Sequence, residues 1–163
     1  MATDEFIVVG SQSVLGKHPN PPASLAMSIE ADLYPVDDPS KSEILSATIG
    51  EDSHFHDTFG VYADGVSETT STLPDGWRDR LIKLQNENTG GAIAWCIDPT
   101  DLAIAKHVAG REKDLEFTAA MVQHGIINHS AFLERLHTLD LTRESRERIL
   151  TRFTRQVAGA SKD

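Results

Sequence analysis

Residues 7–34 hold the groups best suited to chemistry. Ile7-Val8-Val9 is followed by Gly10-Ser11-Gln12-Ser13, and Ser28-Ile29-Glu30-Ala31-Asp32-Leu33-Tyr34 comes next. A glycine lets another group approach the backbone closely. Ser11 and Ser13 add hydroxyls at the start of an expected short helix, where backbone N–H groups favour an anion. Glu30 and Asp32 are two residues apart, so on a strand they share a face. Two carboxylates side by side repel unless a cation or a proton lies between them. An anion cradle beside paired carboxylates is equipment for a magnesium–nucleotide complex. Two plainer readings stand beside this one. Ser11 serves equally as a helix N-cap, and an acidic pair serves equally as the wet face of a strand, although Asp is disfavoured there.

The elements that must position these groups follow from local pattern. Phe6–Val9 reads as a short buried strand, with Ser11 capping a helix over about Gln12–Gly16. Met27–Tyr34 reads as a second strand stopped at Pro35, with Met27, Ile29, Ala31 and Leu33 facing inward and Ser28, Glu30, Asp32 and Tyr34 outward. Ser40 and Glu43 suggest a capping box before a helix to Ile49. Residues 50–58 read as a loop carrying His54 and His56. Asp64-Gly65 between Phe59–Ala63 and Val66–Thr69 reads as a two-residue hairpin. Ala92–Ile97 is a further strand. From Asp98-Pro99 the pattern turns helical, with helices over about 99–111, 112–125, 130–139 and 142–157. The expected fold is α+β: a mixed β-sheet flanked by helices with a helical C-terminal third. It is divided as an α/β core over 1–98 and a helical part over 99–163 packed on it in one compact domain.

The order strand, Gly-Ser, helix, then acid-x-acid on the next strand resembles the polymerase-beta-type nucleotidyltransferase superfamily, and within it the minimal bacterial proteins related to the AbiEii abortive-infection toxins. Asp101-Leu102-Ala103-Ile104-Ala105-Lys106 through Gly110-Arg111-Glu112-Lys113-Asp114 is similar to that group's lysine-bearing helix and the basic–acidic pair after it. The resemblance covers roughly residues 6–125. It implies a nucleotidyltransferase-like sheet, Mg²⁺ held by Glu30 and Asp32, and a nucleoside triphosphate bound at Gly10, Ser11 and Ser13. Lys106, Arg111 and Asp114 complete the set, with Lys106 as phosphate counter-charge. Glu30, Asp32 and Lys106 would be the catalytic residues. The reaction implied is transfer of a nucleotidyl group to a hydroxyl of RNA, protein or a small molecule, in a bacterial toxin–antitoxin or phage-defence setting with a partner protein. Glu30 stands where the superfamily usually has Asp and reaches one methylene further. That departure favours an alternative: a non-catalytic, degenerate transferase-fold module acting as antitoxin or partner subunit.

Several points stay open at this level. A third carboxylate is Asp64 or Asp98. Asp114 either orients Lys106 or is a helix-start acid. His54 and His56 form a His-x-His pair for zinc only if both lie on one strand face, and no third ligand is evident. Trp77 suits packing after a turn or stacking on a base.

Composition narrows the classes. The chain has 163 residues, 39% hydrophobic and 25% charged, which fits an ordinary globular protein. Cys96 is the sole cysteine, which excludes intramolecular disulfides and a cysteine zinc cage; its apolar surroundings suit a buried small hydrophobe. No apolar run reaches the ~20 residues that span a bilayer, and the acidic start lacks the basic region of a secretory signal, so the expected location is cytoplasmic. A net charge of −10 argues against broad nucleic-acid binding. The arginines from Arg143 to Arg155 read either as the wet face of a terminal helix or as a contact for RNA or a partner.

Overall fold

The computed structural model describes residues 4–162. They fall into two compact units: the residues up to Ser71 with Arg78–Asp98, and Thr72–Trp77 with the residues from Pro99 onward.

The first unit is built on a five-stranded mixed sheet of β1 (Glu5–Val8), β2 (Glu30–Pro35), β3 (Tyr62–Gly65), β4 (Ile82–Leu84) and β5 (Ile93–Cys96), in the order β3-β2-β1-β5-β4. β1 runs antiparallel to β2 and parallel to β5, β2 parallel to β3, and β4 antiparallel to β5. In the central β1, Phe6, Ile7 and Val8 are aromatic or β-branched, and Ile7, Val8 and the following Val9 are buried. Helices α1 (Ser42–Ile49) and α2 (His54–Phe59) lie between β2 and β3 in the chain. A parallel pair needs such a crossover, because a tight turn cannot join its strands.

Four local expectations change. Asp64-Gly65 is not a hairpin turn: both residues lie inside β3, paired with Asp32 and Leu33. The glycine is there for space. A Cβ on Gly65 would fall 1.7 Å from the Ser42 carbonyl oxygen. The Gly65 N–H donates to Ser46 Oγ at 2.9 Å. Residues 54–59 are helical, started by Ser53, whose side chain accepts from the His56 N–H. The strand of the acidic pair begins at Glu30, and Met27 and Ile29 are 80% and 51% exposed, whereas Tyr34 on the acidic face is 1% exposed. The inward and outward sets read from alternation thus fail at both ends. Finally, Asp38 rather than a Ser40–Glu43 box caps the turn before α1, accepting from the Ser40 N–H at 3.2 Å.

The second unit is helical: α3 (Pro99–Ala109), α4 (Glu112–Gln123), α5 (His129–Leu136) and α6 (Arg143–Ala160). Asn128 and Thr142 cap α5 and α6 through their side chains. Leu102, Ile104, Met121, Phe132, Leu136 and Phe153 form its interior, with the Phe132 and Phe153 rings stacked 3.8 Å apart. Two charged groups are buried within it and paired. Asp101 accepts from Arg135 at 3.0 Å, and Asp114 is fully enclosed. No helix among the described residues is long and apolar enough to cross a membrane.

Candidate active site

In the sheet unit, Gly10 and Asp32 meet. The Val9 N–H donates to the Asp32 carbonyl at 2.9 Å, which carries the β1–β2 pairing to the edge of the Gly-Ser bend. The Asp32 carboxylate then lies directly on Gly10: a Cβ added there would fall 2.1 Å from Asp32 Oδ2. Gly10 has φ −87, an angle open to any residue. Its lack of a side chain, not its backbone freedom, admits the carboxylate.

The bend leads into a six-residue 3₁₀ turn, Ser11–Gly16. Gly10 holds the N-cap position with no side-chain capping bond, so Ser11 is the first residue of the turn and not its cap. The Ser13 N–H donates to the Gly10 carbonyl at 3.0 Å. The Ser13 side chain is fully buried, and its Oγ has no hydrogen-bond partner in the described structure. Gln12 donates from Nε2 to the Ser28 carbonyl, which ties the turn to the approach of β2. Ser11 itself is half-buried.

Across β2 and β3, Glu30 pairs with Tyr62 and Asp32 with Asp64. Register partners on parallel strands present their side chains to the same face. Glu30, Asp32 and Asp64 therefore share one face, with the Tyr62 phenol among them. Desolvation, followed by the charges of Glu30, Glu51 and Asp64, raises the Tyr62 pKa above its ordinary value. Asp64 reads locally as a turn residue, because Asp-Gly has a sufficient explanation there, but it lies in β3 beside Asp32. Pairing between strands some thirty residues apart sets its place, and no local pattern carries that. Asp98, the other candidate, follows β5 and is half-buried.

Mg²⁺ usually takes one or two carboxylates and fills its shell with water and substrate phosphates. Neighbouring Asp32 and Asp64, with Glu30 on the same face, fit that donor set. Among the described residues no group of three or more His, Cys, Asp or Glu is gathered closely enough to hold a metal alone. His54 and His56 are not a strand pair either. They lie on α2, where residues two apart diverge. His56 Nδ1 accepts from the Asp52 N–H at 3.1 Å, and its ring lies 4.7 Å from that of Tyr62.

In the helical unit, Lys106 Nζ lies 3.1 Å from Asp114 Oδ1 and 4.7 Å above the Phe117 ring. Arg111 grips the same carboxylate from its guanidinium, Nε to Oδ2 at 2.7 Å and Nη2 to Oδ1 at 3.3 Å. Burial lowers the Lys106 pKa, against the pull of Asp114. Burial would raise Asp114, but Arg111 and Lys106 together hold it below its ordinary value. Asp114 thus orients Lys106 rather than merely starting α4. Arg111, with 63% of its side chain exposed, is the open arm of the trio.

A family model described as nucleotidyltransferase of unknown function (DUF6036) matches residues 1–152. The chain belongs to this nucleotidyltransferase family. No curated protein and no solved structure matches it. The remaining sequence-derived candidates fall into two sets, Glu30, Asp32, Gly10, Ser11 and Ser13 in the sheet unit and Lys106, Arg111 and Asp114 in the helical one.

Proposed function

We propose that the sheet unit binds a magnesium–nucleoside triphosphate and that the protein transfers its nucleotidyl group to a hydroxyl acceptor. The observation that carries this reading is the Asp32 carboxylate seated on Gly10 and in register with Asp64. Asp32 and Asp64, neighbours across β2 and β3, would hold the ion, its remaining positions going to water and phosphate oxygens. Bound there, Mg²⁺ would neutralise the triphosphate and the charge that develops on the pyrophosphate. Ser11, the first residue after the bend, offers its hydroxyl to a phosphate oxygen. The acceptor oxygen forms a bond to the α-phosphorus as the bond from that phosphorus to the pyrophosphate oxygen breaks. The acceptor's proton passes to a carboxylate of the cluster, and pyrophosphate leaves. The work of these side chains is positioning and charge placement.

Within the helical unit, Lys106 and Arg111 are the proposed phosphate-binding cations, oriented by Asp114. The setting proposed from the AbiEii resemblance is bacterial toxin–antitoxin or phage defence. A second reading, the non-catalytic transferase-fold module, is favoured by carboxylates that are not gathered into a metal-holding group and by Glu30 in place of Asp.

Calorimetric titration of MgATP, MgCTP, MgGTP and MgUTP, followed by incubation with labelled nucleotide and acceptor RNA or protein, tests both. Binding together with transfer supports the enzyme. Binding without transfer, unchanged in Glu30→Ala, supports the module.

A further inference from the structure

The carboxylate face of the sheet carries an aromatic pair as well as acids. Tyr62 opens β3 in register with Glu30, and Asp64 follows two residues on, in register with Asp32. Alternate residues of a strand share a face, so the Tyr62 ring stands on the carboxylate side. Ala63 between them points the other way and is buried. The Tyr62 ring is held from two directions. Its hydroxyl bonds to the Glu30 carboxylate. The His56 ring, brought in by α2, lies 4.7 Å from it at a tilt of 49°. His56 is fixed in turn, because its Nδ1 accepts from the Asp52 N–H at 3.1 Å. Both rings are half-buried and not enclosed. An aromatic ring that served only packing would sit among apolar side chains, whereas the charged neighbours of Tyr62 are Glu30, Glu51 and Asp64.

Sheet order puts β1 and β3 on opposite sides of β2. The Gly10-Ser11 bend after β1 and the Tyr62 ring on β3 therefore flank the Asp32 strand, about 10 Å apart at two strand spacings. Phosphates at the bend and a ribose beyond them would span that interval. We propose that Tyr62, backed by His56, is the platform on which the base of the bound nucleotide stacks, purines more tightly than pyrimidines because their larger ring system covers more of the phenol. The inference rests on the nucleotide-binding reading of the same face and assigns the base its place there. Stacking on an aromatic side chain accepts any base, because every base has a π-face.

Calorimetric titration of MgATP, MgUTP and magnesium tripolyphosphate, which has the phosphates but no base, tests it. Wild-type protein should bind MgATP more tightly than MgUTP, and either more tightly than the tripolyphosphate. Tyr62→Leu should lose roughly tenfold or more in MgATP affinity and keep its affinity for the tripolyphosphate, whereas Tyr62→Phe, which retains the ring, should bind MgATP close to wild type. His56→Ala, which removes the support behind the ring, gives the same comparison if Tyr62→Leu folds poorly, with a smaller loss. Tripolyphosphate bound as tightly as MgATP, no purine preference, or unchanged MgATP affinity in Tyr62→Leu overturns the platform and leaves the magnesium–nucleotide reading standing. A loss in Tyr62→Phe equal to that in Tyr62→Leu overturns it by assigning the effect to the hydroxyl. So does mass-spectrometric detection of a nucleotidyl adduct on Tyr62, which would make the phenol an acceptor. Binding of none of the three ligands overturns the platform and the reading beneath it together.

Discussion

Asp32 and Gly10 define the chemistry at the scale of single residues. A methyl group at position 10 has nowhere to go but into the carboxylate, 2.1 Å from Oδ2. Gly10→Ala should therefore turn the acid away from the bend and weaken MgATP binding by about tenfold or more, with little change in the unfolding midpoint. Calorimetry and a denaturation curve on the same sample check both halves. The trio in the helical unit makes a different prediction. Asp114 is enclosed and holds two cations, and removing one partner of a buried pair leaves the other uncompensated. Asp114→Asn should destabilise the protein by roughly 3 kcal/mol, read from urea unfolding. Lys106→Ala should cost less, because exposed Arg111 still satisfies the carboxylate.

At the scale of elements, β3 is where local pattern and tertiary structure part. Asp-Gly flanked by apolar residues is a strong turn signal, yet the chain passes straight through it beside β2. Ser42 and Ser46 of α1 explain the glycine by their closeness to Gly65. Gly65→Ala should thus destabilise by roughly 3 kcal/mol through overpacking, and Gly65→Asn, benign at a hairpin turn, should be as damaging; chemical denaturation of the two variants checks this. The helices after Pro99 were readable because 3.6-residue periodicity, caps and glycines are local signals, and Asn128 and Thr142 cap as their types suggest. The Gly10, Glu30 and Asp32 spacing was readable for the same reason. The placement of Asp64, and the burial of Tyr34 against the exposure of Met27 and Ile29, depend on which strands pair and what covers them. Those are long-range facts that a run of residues does not contain.

For the molecule as a whole, acid should act through one buried imidazole before it acts on the carboxylates. His107 is enclosed beside Phe132 and Phe153 and hydrogen-bonds Gln156 at 3.1 Å. Burial, reinforced by Arg152 and opposed by Gln156, pushes its pKa from 6.5 down to about 4. Between those values the unfolded chain binds a proton that the folded one refuses, so stability falls as pH drops through the window, by roughly 3 kcal/mol at its acid end. Asp114 works lower: its folded pKa is depressed, so its contribution is present above 3.8 and lost only as pH falls through the depressed value. Urea midpoints from pH 7 to pH 4 should decline in the wild type and decline less in His107→Gln. An identical slope in that variant would assign the loss to other groups.

The account rests on metal-dependent nucleotide binding at the Gly10–Asp32 contact, and titration of MgATP into wild-type protein and Asp32→Ala measures it most directly. The predicted result is saturable heat in the wild type that vanishes when magnesium is chelated and is lost in Asp32→Ala, both proteins remaining folded by circular dichroism. Equal affinity in the two proteins, or binding indifferent to magnesium, would contradict it.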